Sequence, residues 1–271
     1  MNDSQDSKRI KPLKLQVLLS AMNQKDHGIV KRAKITTSAV IVNQSSEFKC
    51  EKFKNQGEDI LFLTFPEKGI GLSRNSALMR SDADIVLFAD DDVVYAKDYE
   101  KAVLSEFANN PRADMIIFNM PSLNPSRDSY YTKRNSRVRR HNSMRYATPR
   151  IAVKTHRLKN ANVYFSLLFG GGAKYSAGED SLFVYQCIKN GLKVYASPEV
   201  IGFVSDSSST WFEGYTDKFF RDKGAFFKNL SPSYAGLLGL QYALRKRSEY
   251  RSEKTFFQVL RLVNEGIRGF S

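Results

Sequence analysis

Residues 83–95, ADIVLFADDDVVY, decide how the rest of the chain is read. Their apolar run reads as a strand buried on both faces, and it stops at Asp90, Asp91 and Asp92. Adjacent carboxylates repel and raise one another's pKa unless a cation or hydrogen-bond donors compensate. Mg2+ or Mn2+ is the natural guest, because these hard ions take oxygen ligands from one or two carboxylates and leave other positions for water and phosphate. An acidic turn or a helix N-cap is the plainer reading of the same residues.

Upstream lie three apolar, β-rich segments, residues 13–23 (LKLQVLLSAMN), 39–46 (AVIVNQSS) and 59–69 (DILFLTFPEKG), each followed by turn or helix signals. Leu72, Ala77, Leu78 and Met79 then predict a helix begun near Ser73. Downstream, residues 98–111 predict a helix closed by Asn-Asn-Pro, and residues 113–121 the next strand. After a Gly-rich turn, Glu179 and Asp180 precede a predicted helix over residues 181–190, ended by Gly191, with a strand at residues 193–196. Strand and helix in alternation imply an α/β fold: a mostly parallel central sheet flanked by helices, with active residues at the carboxyl ends of its strands.

Residues 127–150 differ in character. They carry eight Arg or Lys against one acid, with Tyr130, Tyr131 and Tyr146 among them, and predict a mobile loop or an irregular excursion. From Gly224 onward the pattern is helical, with Phe256, Leu260, Val263 and Ile267 at helical spacing and Lys254, Arg261 and Arg268 on the other side. Such a helix packs on the domain or lies on a membrane. The expected organisation is a disordered polar lead over residues 1–13, a main domain over 14–223 and a helical, basic, amphipathic C-terminal extension over 224–271.

The chain has 271 residues, 42% of them hydrophobic, enough for one large domain and too many for a disordered chain. Its net charge of +14 favours polyanions, whether nucleic acid, anionic lipid or phosphorylated substrates. Cys50 and Cys187 read as two reduced thiols of a cytosolic protein, and His27, His141 and His156 lack metal-ligand spacing. The polar N-terminal residues lack the apolar core of a signal peptide. The longest apolar stretch, residues 234–244 (YAGLLGLQYAL), falls short of the roughly 20 residues that span a bilayer. A cytoplasmic protein is expected, with any membrane attachment peripheral and at the inner face.

The succession LLSAMN, IVNQSS, KGIGLSRNSAL, VLFADDDVVY and GGGAKYSAGEDSLF resembles a family 2 glycosyltransferase of the GT-A, Rossmann-like fold over residues 15–204. Each piece is weak alone; their order and spacing carry the resemblance. It implies inverting, metal-dependent transfer of a hexosyl group from a nucleotide-sugar donor, foremost a UDP-sugar. The implied acceptor is a saccharide or lipid-linked saccharide, in the assembly of a bacterial capsule, exopolysaccharide or O-antigen. By the same resemblance Ser20, Ala21, Asn23, Asn43 and Ser45 hold the nucleotide, and Arg74 with Asn75 matches the family's RN pair near the diphosphate. Asp92 is implied as the direct ligand of Mn2+ or Mg2+ in a DXD motif, with Asp90 and Asp91 on ribose or metal-bound water. Asp180 is implied as general base, Glu179 as an acceptor contact, and Gly171 and Gly172 as the border of donor sugar and acceptor. Asn43 and Gln44 stand where the family often has an acid that accepts from a uracil N–H, which leaves the base open. Read without the family, Arg74 also suits a solvated helix face, and Gly170, Gly171 and Gly172 an ordinary flexible turn.

The chemistry is coherent in its own terms. A departing diphosphate gathers negative charge that a divalent ion neutralises. A carboxylate at a helix start, on the opposite side of the anomeric carbon, can take the acceptor hydroxyl's proton. One displacement inverts the centre, and the diphosphate leaves without the general acid that glycoside hydrolysis requires. The interleaved Arg and Tyr residues suit nucleic acid or an anionic membrane, which attracts polybasic segments. The membrane reading is preferred and nucleic acid is not the expected partner; a solvated basic surface, with the tail packed on the core or on a homodimer partner, is the plain alternative. Trp211 suits either sugar stacking or packing. Two competing functions are a sugar-phosphate nucleotidyltransferase, whose glycine-rich basic signature near the N-terminus is missing, and a non-enzymatic nucleic-acid-binding module.

Overall fold

The computed structural model describes residues 12–124, 130–205 and 214–270. The chain runs through β1 (Leu15–Met22), α1 (Ile29–Arg32), β2 (Ser38–Gln44), β3 (Lys49–Asn55), β4 (Glu58–Phe65), α2 (Ile70–Met79), β5 (Ile85–Asp90), β6 (Val93–Tyr95), α3 (Tyr99–Asn109) and β7 (Met115–Asn119). It continues through β8 (Ser136–Arg137), two 3-10 turns (Arg140–Arg145 and Thr148–Arg150), β9 (Ile151–Lys154), α4 (Thr155–Asn160), α5 (Glu179–Lys189), β10 (Val194–Val200) and β11 (Gly202–Val204). Four helices follow: α6 (Asp217–Leu230), α7 (Ala235–Arg245), α8 (Arg247–Tyr250) and α9 (Phe256–Arg268).

Among the described residues the main sheet has the order β3-β4-β2-β1-β5-β9-β7-β10-β8. Neighbours β4, β2, β1 and β5 are parallel, β9 is antiparallel between β5 and β7, and β10 is again parallel to β7. The expected α/β architecture, a mostly parallel sheet with flanking helices, is therefore the one the chain adopts. β1, β2 and β5 are buried along nearly their whole length, which is why they read as unbroken apolar runs. The chain leaves β1 towards β2 on one side and β5 on the other, and such a switch point opens a crevice at the strands' carboxyl ends. Ser20 there stands opposite Asp90, and Ala21 opposite Asn43.

Alternate residues of the strands feed two cores. Val17 and Leu19 join Tyr95, Tyr99 and Phe107 on one face, while Leu18 joins Phe88, Phe165 and Phe183 on the other. A third core binds Phe169, Tyr175 and Leu182 to the apolar faces of α6, α7 and α9. Both cysteines are free, Cys187 being buried in the second core.

Several elements depart from expectation. β3 pairs with β4 across Gln56 and Gly57, both at positive φ, the geometry of a tight two-residue hairpin. β9 enters the sheet directly after the basic segment. α2 starts at Ile70 instead of near Ser73, and Gly69 N before it donates to Gln44 Oε1 at 2.6 Å. α5 starts at Glu179, directly after Gly178 at φ 122. The described part of the basic segment, residues 130–150, is irregular as expected; Asn119, at the end of β7, exchanges hydrogen bonds with the Thr132 backbone at 2.8 and 2.9 Å and holds it to the sheet. The boundary expected after residue 223 falls inside α6. Of the expected α9 stripe, Val263 is buried and Phe256, Leu260 and Ile267 are half-buried against the third core, beside the buried Val259 and Leu262. Most of the expected lead, residues 1–11, and Trp211 lie outside the described residues. Among those described, no helix is long and apolar enough to cross a membrane.

Candidate active site

The switch-point crevice is a cleft of about 820 Å³. Ser20 and Ala21 reach it from the tip of β1, Asp90, Asp91 and Asp92 from the end of β5, Arg74 from α2, and Glu179 and Asp180 from the first turn of α5. The sequence-derived acidic cluster and the Glu-Asp pair, about 90 residues apart in the chain, thus face one cavity.

Arg74 organises these acids. It is only 2% exposed. Its Nη2 donates to both oxygens of Asp90 at 2.9 and 3.0 Å, and its Nη1 donates to Asp180 Oδ1 at 2.7 Å and, more weakly, to Glu179 Oε1 at 3.4 Å. Its guanidinium carbon lies over the Phe165 ring, 5.2 Å from the centroid. Three carboxylates hold the charge on Arg74, raising its pKa against the cost of burial. Burial, followed by the charges of Asp180 and Asp91, raises the Asp90 pKa despite the guanidinium. Burial beside Asp180 pushes the Glu179 carboxyl up to about 7. Asp180 also accepts from the Thr148 hydroxyl, and both of these bonds fall on Oδ1.

The turn holding Asp91 and Asp92 is fixed from both sides. Met22 N donates to Asp91 Oδ2 at 3.2 Å, and Ser205 donates to the Asp92 carbonyl from its backbone at 2.7 Å and from its hydroxyl at 2.9 Å. Every donor at this strand tip is a hard oxygen, the ligand type that Mg2+ and Mn2+ take. Among the described residues no group of three or more His, Cys, Asp or Glu could hold an ion by itself. The tip fits an ion that has one or two protein carboxylates and completes its shell with water and diphosphate oxygens.

Other expected residues stand behind the cleft wall. Asn43 is buried, its Oδ1 accepting from Gln24 N at 2.9 Å and its Nδ2 donating to Gln24 O at 3.0 Å, so it holds the loop after β1. Asn23, at φ 51, donates its backbone N–H to Gln44 O, and Ser45 its own to Phe65 O. Asn75 exchanges hydrogen bonds with the Phe165 backbone at 2.8 and 2.9 Å. Gly171 lines the cleft and accepts from Ile70 N, while Gly172, at φ 80, borders a smaller hollow beside Gly69. Gln44, beside the expected Asn43, does line the cleft.

Among the cleft residues to which the sequence assigned no place in the site, four are notable. Arg145 and Arg150 come from the basic segment; Arg145 lies 4.8 Å from the Tyr130 ring and Arg150 donates to Tyr130 O at 3.1 Å. Met144 lines the cleft from the same segment. Lys223 comes from α6, lies over the rings of Phe219 and Phe226, and has its pKa lowered by burial against the pull of Asp222 and Glu179. Nothing local in the sequence marks Lys223, because the sheet and the helical bundle meet only in the folded chain. The eight-to-one basic bias of residues 127–150 was visible, but not that its end would line a cleft.

Open α/β sheets bind their ligands in the crevice at such a switch point. The sequence model of glycosyl transferase family 2 matches residues 16–169, more than half of the chain, and the chain belongs to that family. Among solved structures, it is similar to S. aureus TarS 1-349 in complex with UDP-GlcNAc, at 17% identity and TM-score 0.67, over 96% of this chain and 82% of that one. It is also similar to TarS 1-349 without a named ligand, at 15% identity and TM-score 0.61, over 95% and 92% of the two chains, and to the UDP complex, at 15% and 0.60, over 90% and 76%. These likenesses show the fold, which is GT-A. Among curated proteins no sequence matches.

Proposed function

We propose that the chain is an inverting, metal-dependent hexosyltransferase that moves a sugar from a UDP-sugar to a saccharide acceptor, lipid-linked, at the cytoplasmic face of the membrane in building a bacterial surface polysaccharide. The observation that carries this reading is the convergence of the β5 acidic tip and the Glu179–Asp180 helix start on one cleft through Arg74. UDP and UDP-GlcNAc in the similar TarS structures support the choice of donor. Ser20 and Ala21 border the nucleotide, and Asn23, Asn43 and Ser45 hold the loops that shape its site. Asp92 holds Mg2+ or Mn2+, with Asp90 and Asp91 beside it. Such an ion supplies charge neutralisation to the departing diphosphate.

Asp180 takes the proton of the acceptor hydroxyl as it attacks the anomeric carbon. Arg74 and Thr148 bind its Oδ1 and so orient the carboxylate. Glu179, partly protonated near neutral pH, donates to or accepts from the acceptor. Gly171 lets the backbone close against the sugars, with Gly172 shaping the turn behind it. Lys223 and Arg150 face Glu179 and Asp180, and put positive charge on the acceptor side, which suits an acceptor bearing a lipid diphosphate.

One observation favours a second assignment of the base: burial pushes the Glu179 carboxyl up to about 7, near the pH at which a general base works, and its bond to Arg74 is longer than that of Asp180. A panel of UDP-sugars with Mn2+, followed by product analysis, tests the reaction itself. With the active donor, Asp180→Asn is expected to keep UDP affinity by calorimetry and to lose transfer by roughly 10²–10⁴-fold. Asp92→Ala is expected to weaken UDP binding measured with Mn2+ and to leave metal-free binding unchanged. Normal transfer by Asp180→Asn together with loss in Glu179→Gln would move the base to Glu179; normal transfer by both would remove the reading.

A further inference from the structure

We propose that the exposed face of α7 docks the protein on an anionic bilayer surface. α7 is apolar on both sides. Inward, Ala235, Gly239 and Ala243 are buried and bring α7 close to Val263 of α9, while Leu238 and Tyr242 pack half-buried on the third core. Outward, Leu237 is 63% exposed and Leu244 58%, and Leu240 lies between them, with Tyr234 at the helix start. These four follow helical spacing and make one stripe roughly 15 Å long. A surface helix of a water-soluble protein normally turns polar residues to solvent, and a contiguous exposed apolar stripe marks an interaction site.

The charge around the stripe selects its occupant. Residues 235–245, AGLLGLQYALR, contain no acid, and the stripe ends on Arg245, with Arg247 and Arg251 exposed just beyond. The nearby acid Glu249 is engaged by Lys246 at 2.5 Å and by the Tyr215 hydroxyl at 2.9 Å. A second copy of the chain would bring the same net basic face, Arg245, Lys246, Arg247 and Arg251 against Glu249 and Glu253, which repels its own kind. A bilayer with anionic headgroups answers these arginines and also takes up leucines, with tyrosine at the interface. The stripe of α9, which the sequence marks more strongly, is packed on the third core, with Val263 buried and Phe256, Leu260 and Ile267 half-buried. α6, which carries Lys223 to the cleft, packs against α7, so docking through α7 would hold to the bilayer the helical bundle that borders the cleft. The inference rests on the lipid-linked acceptor for its purpose, and on the surface of α7 for its observations.

The test is sedimentation of the full chain with vesicles of phosphatidylcholine alone or mixed with phosphatidylglycerol, across a salt series. The wild type is expected to pellet with the mixed vesicles, less so as salt rises. L237Q/L240Q/L244Q and, separately, R245E/R247E are expected to lose at least about tenfold in vesicle affinity. Unchanged far-UV circular dichroism and unchanged vesicle-free UDP binding would show that both variants are folded, since none of these residues lines the cleft. No pelleting by the wild type, or equal pelleting by the triple leucine variant, overturns the proposal. So does a light-scattering dimer that the leucine substitutions dissociate without any vesicle binding. Vesicle binding by a chain that turns over no UDP-sugar would leave the docking surface standing and remove the proposed reaction.

Discussion

Arg74 is one guanidinium answering three acids, and its planar fork is what allows the two-point contact with Asp90 alongside the bond to Asp180. Arg74→Lys keeps the charge and loses the fork, whereas Arg74→Met leaves Asp90, Glu179 and Asp180 uncompensated. Breaking one side of a buried ion pair costs about 3 kcal/mol. Arg74→Met is therefore expected to lower Tm by about 6–12 °C, with Arg74→Lys in between, as read by calorimetry. Glu179 supplies a second expectation. Its folded pKa, about 7, lies above its ordinary value of 4.5, so between those pH values the folded chain binds more protons than the unfolded one. Stability then falls as pH rises through that window. Urea midpoints of the wild type should decline across it relative to Glu179→Gln, and parallel curves would show that Glu179 is ionised throughout. The sequence made Arg74 and Asn75 a pair, but successive helix residues point about 100° apart. Arg74 faces the cleft while Asn75 turns to the Phe165 backbone, a separation no short motif can express.

At the scale of elements, α6 and α9 cross with their backbones nearly touching at Gly224 and Gly266. A Cβ on Gly266 would lie 1.9 Å from the Arg221 carbonyl oxygen, and one on Gly224 would lie 2.1 Å from the Val263 carbonyl oxygen. Both obstacles are backbone, so a helix must move. Gly266→Ala is expected to cost about 1–3 kcal/mol in urea unfolding and, by shifting the helix that bears Lys223, to reduce transfer more than UDP binding. A variant with wild-type stability would show that the crossing is loose. The central strands β1, β2, β4 and β5 were legible because burial on both faces leaves long apolar runs. β3 was not: KCEKFKN places lysines along a sheet edge, where charge discourages pairing with another chain, and its mixed residues resemble a loop. β9 was hidden by its four-residue length directly after a basic stretch. The periodicity of α9 was plain, but periodicity names a face and not what covers it.

At the scale of the molecule, the issue is whether the catalytic sheet and the helical extension are one cooperative unit. The expected division at residue 223 would make them separable, yet Phe169, Tyr175 and Leu182 from the sheet side share a core with Phe220, Phe226 and Val263. Gly178, just before Glu179, faces Phe226 so closely that a Cβ would lie 2.5 Å from its ring. The start of α5, and with it both proposed acceptor-side carboxylates, therefore rests on α6. Sequence reading could not foresee this, since the residues involved lie about 40–90 positions apart and each local pattern is complete without the other. Folding as one unit requires a single transition, with far-UV and near-UV circular dichroism changing together and calorimetric and van't Hoff enthalpies agreeing. A chain ended at residue 216 loses the cover over Phe169, Tyr175 and Leu182. It is expected to melt well below the full chain and to bind UDP more weakly, although the β5 tip and β1 are intact in its sequence. Two separated transitions in the full chain, or a truncated chain with the full-length midpoint, would instead make the extension an appendage and leave Lys223 without a structural claim on the cleft.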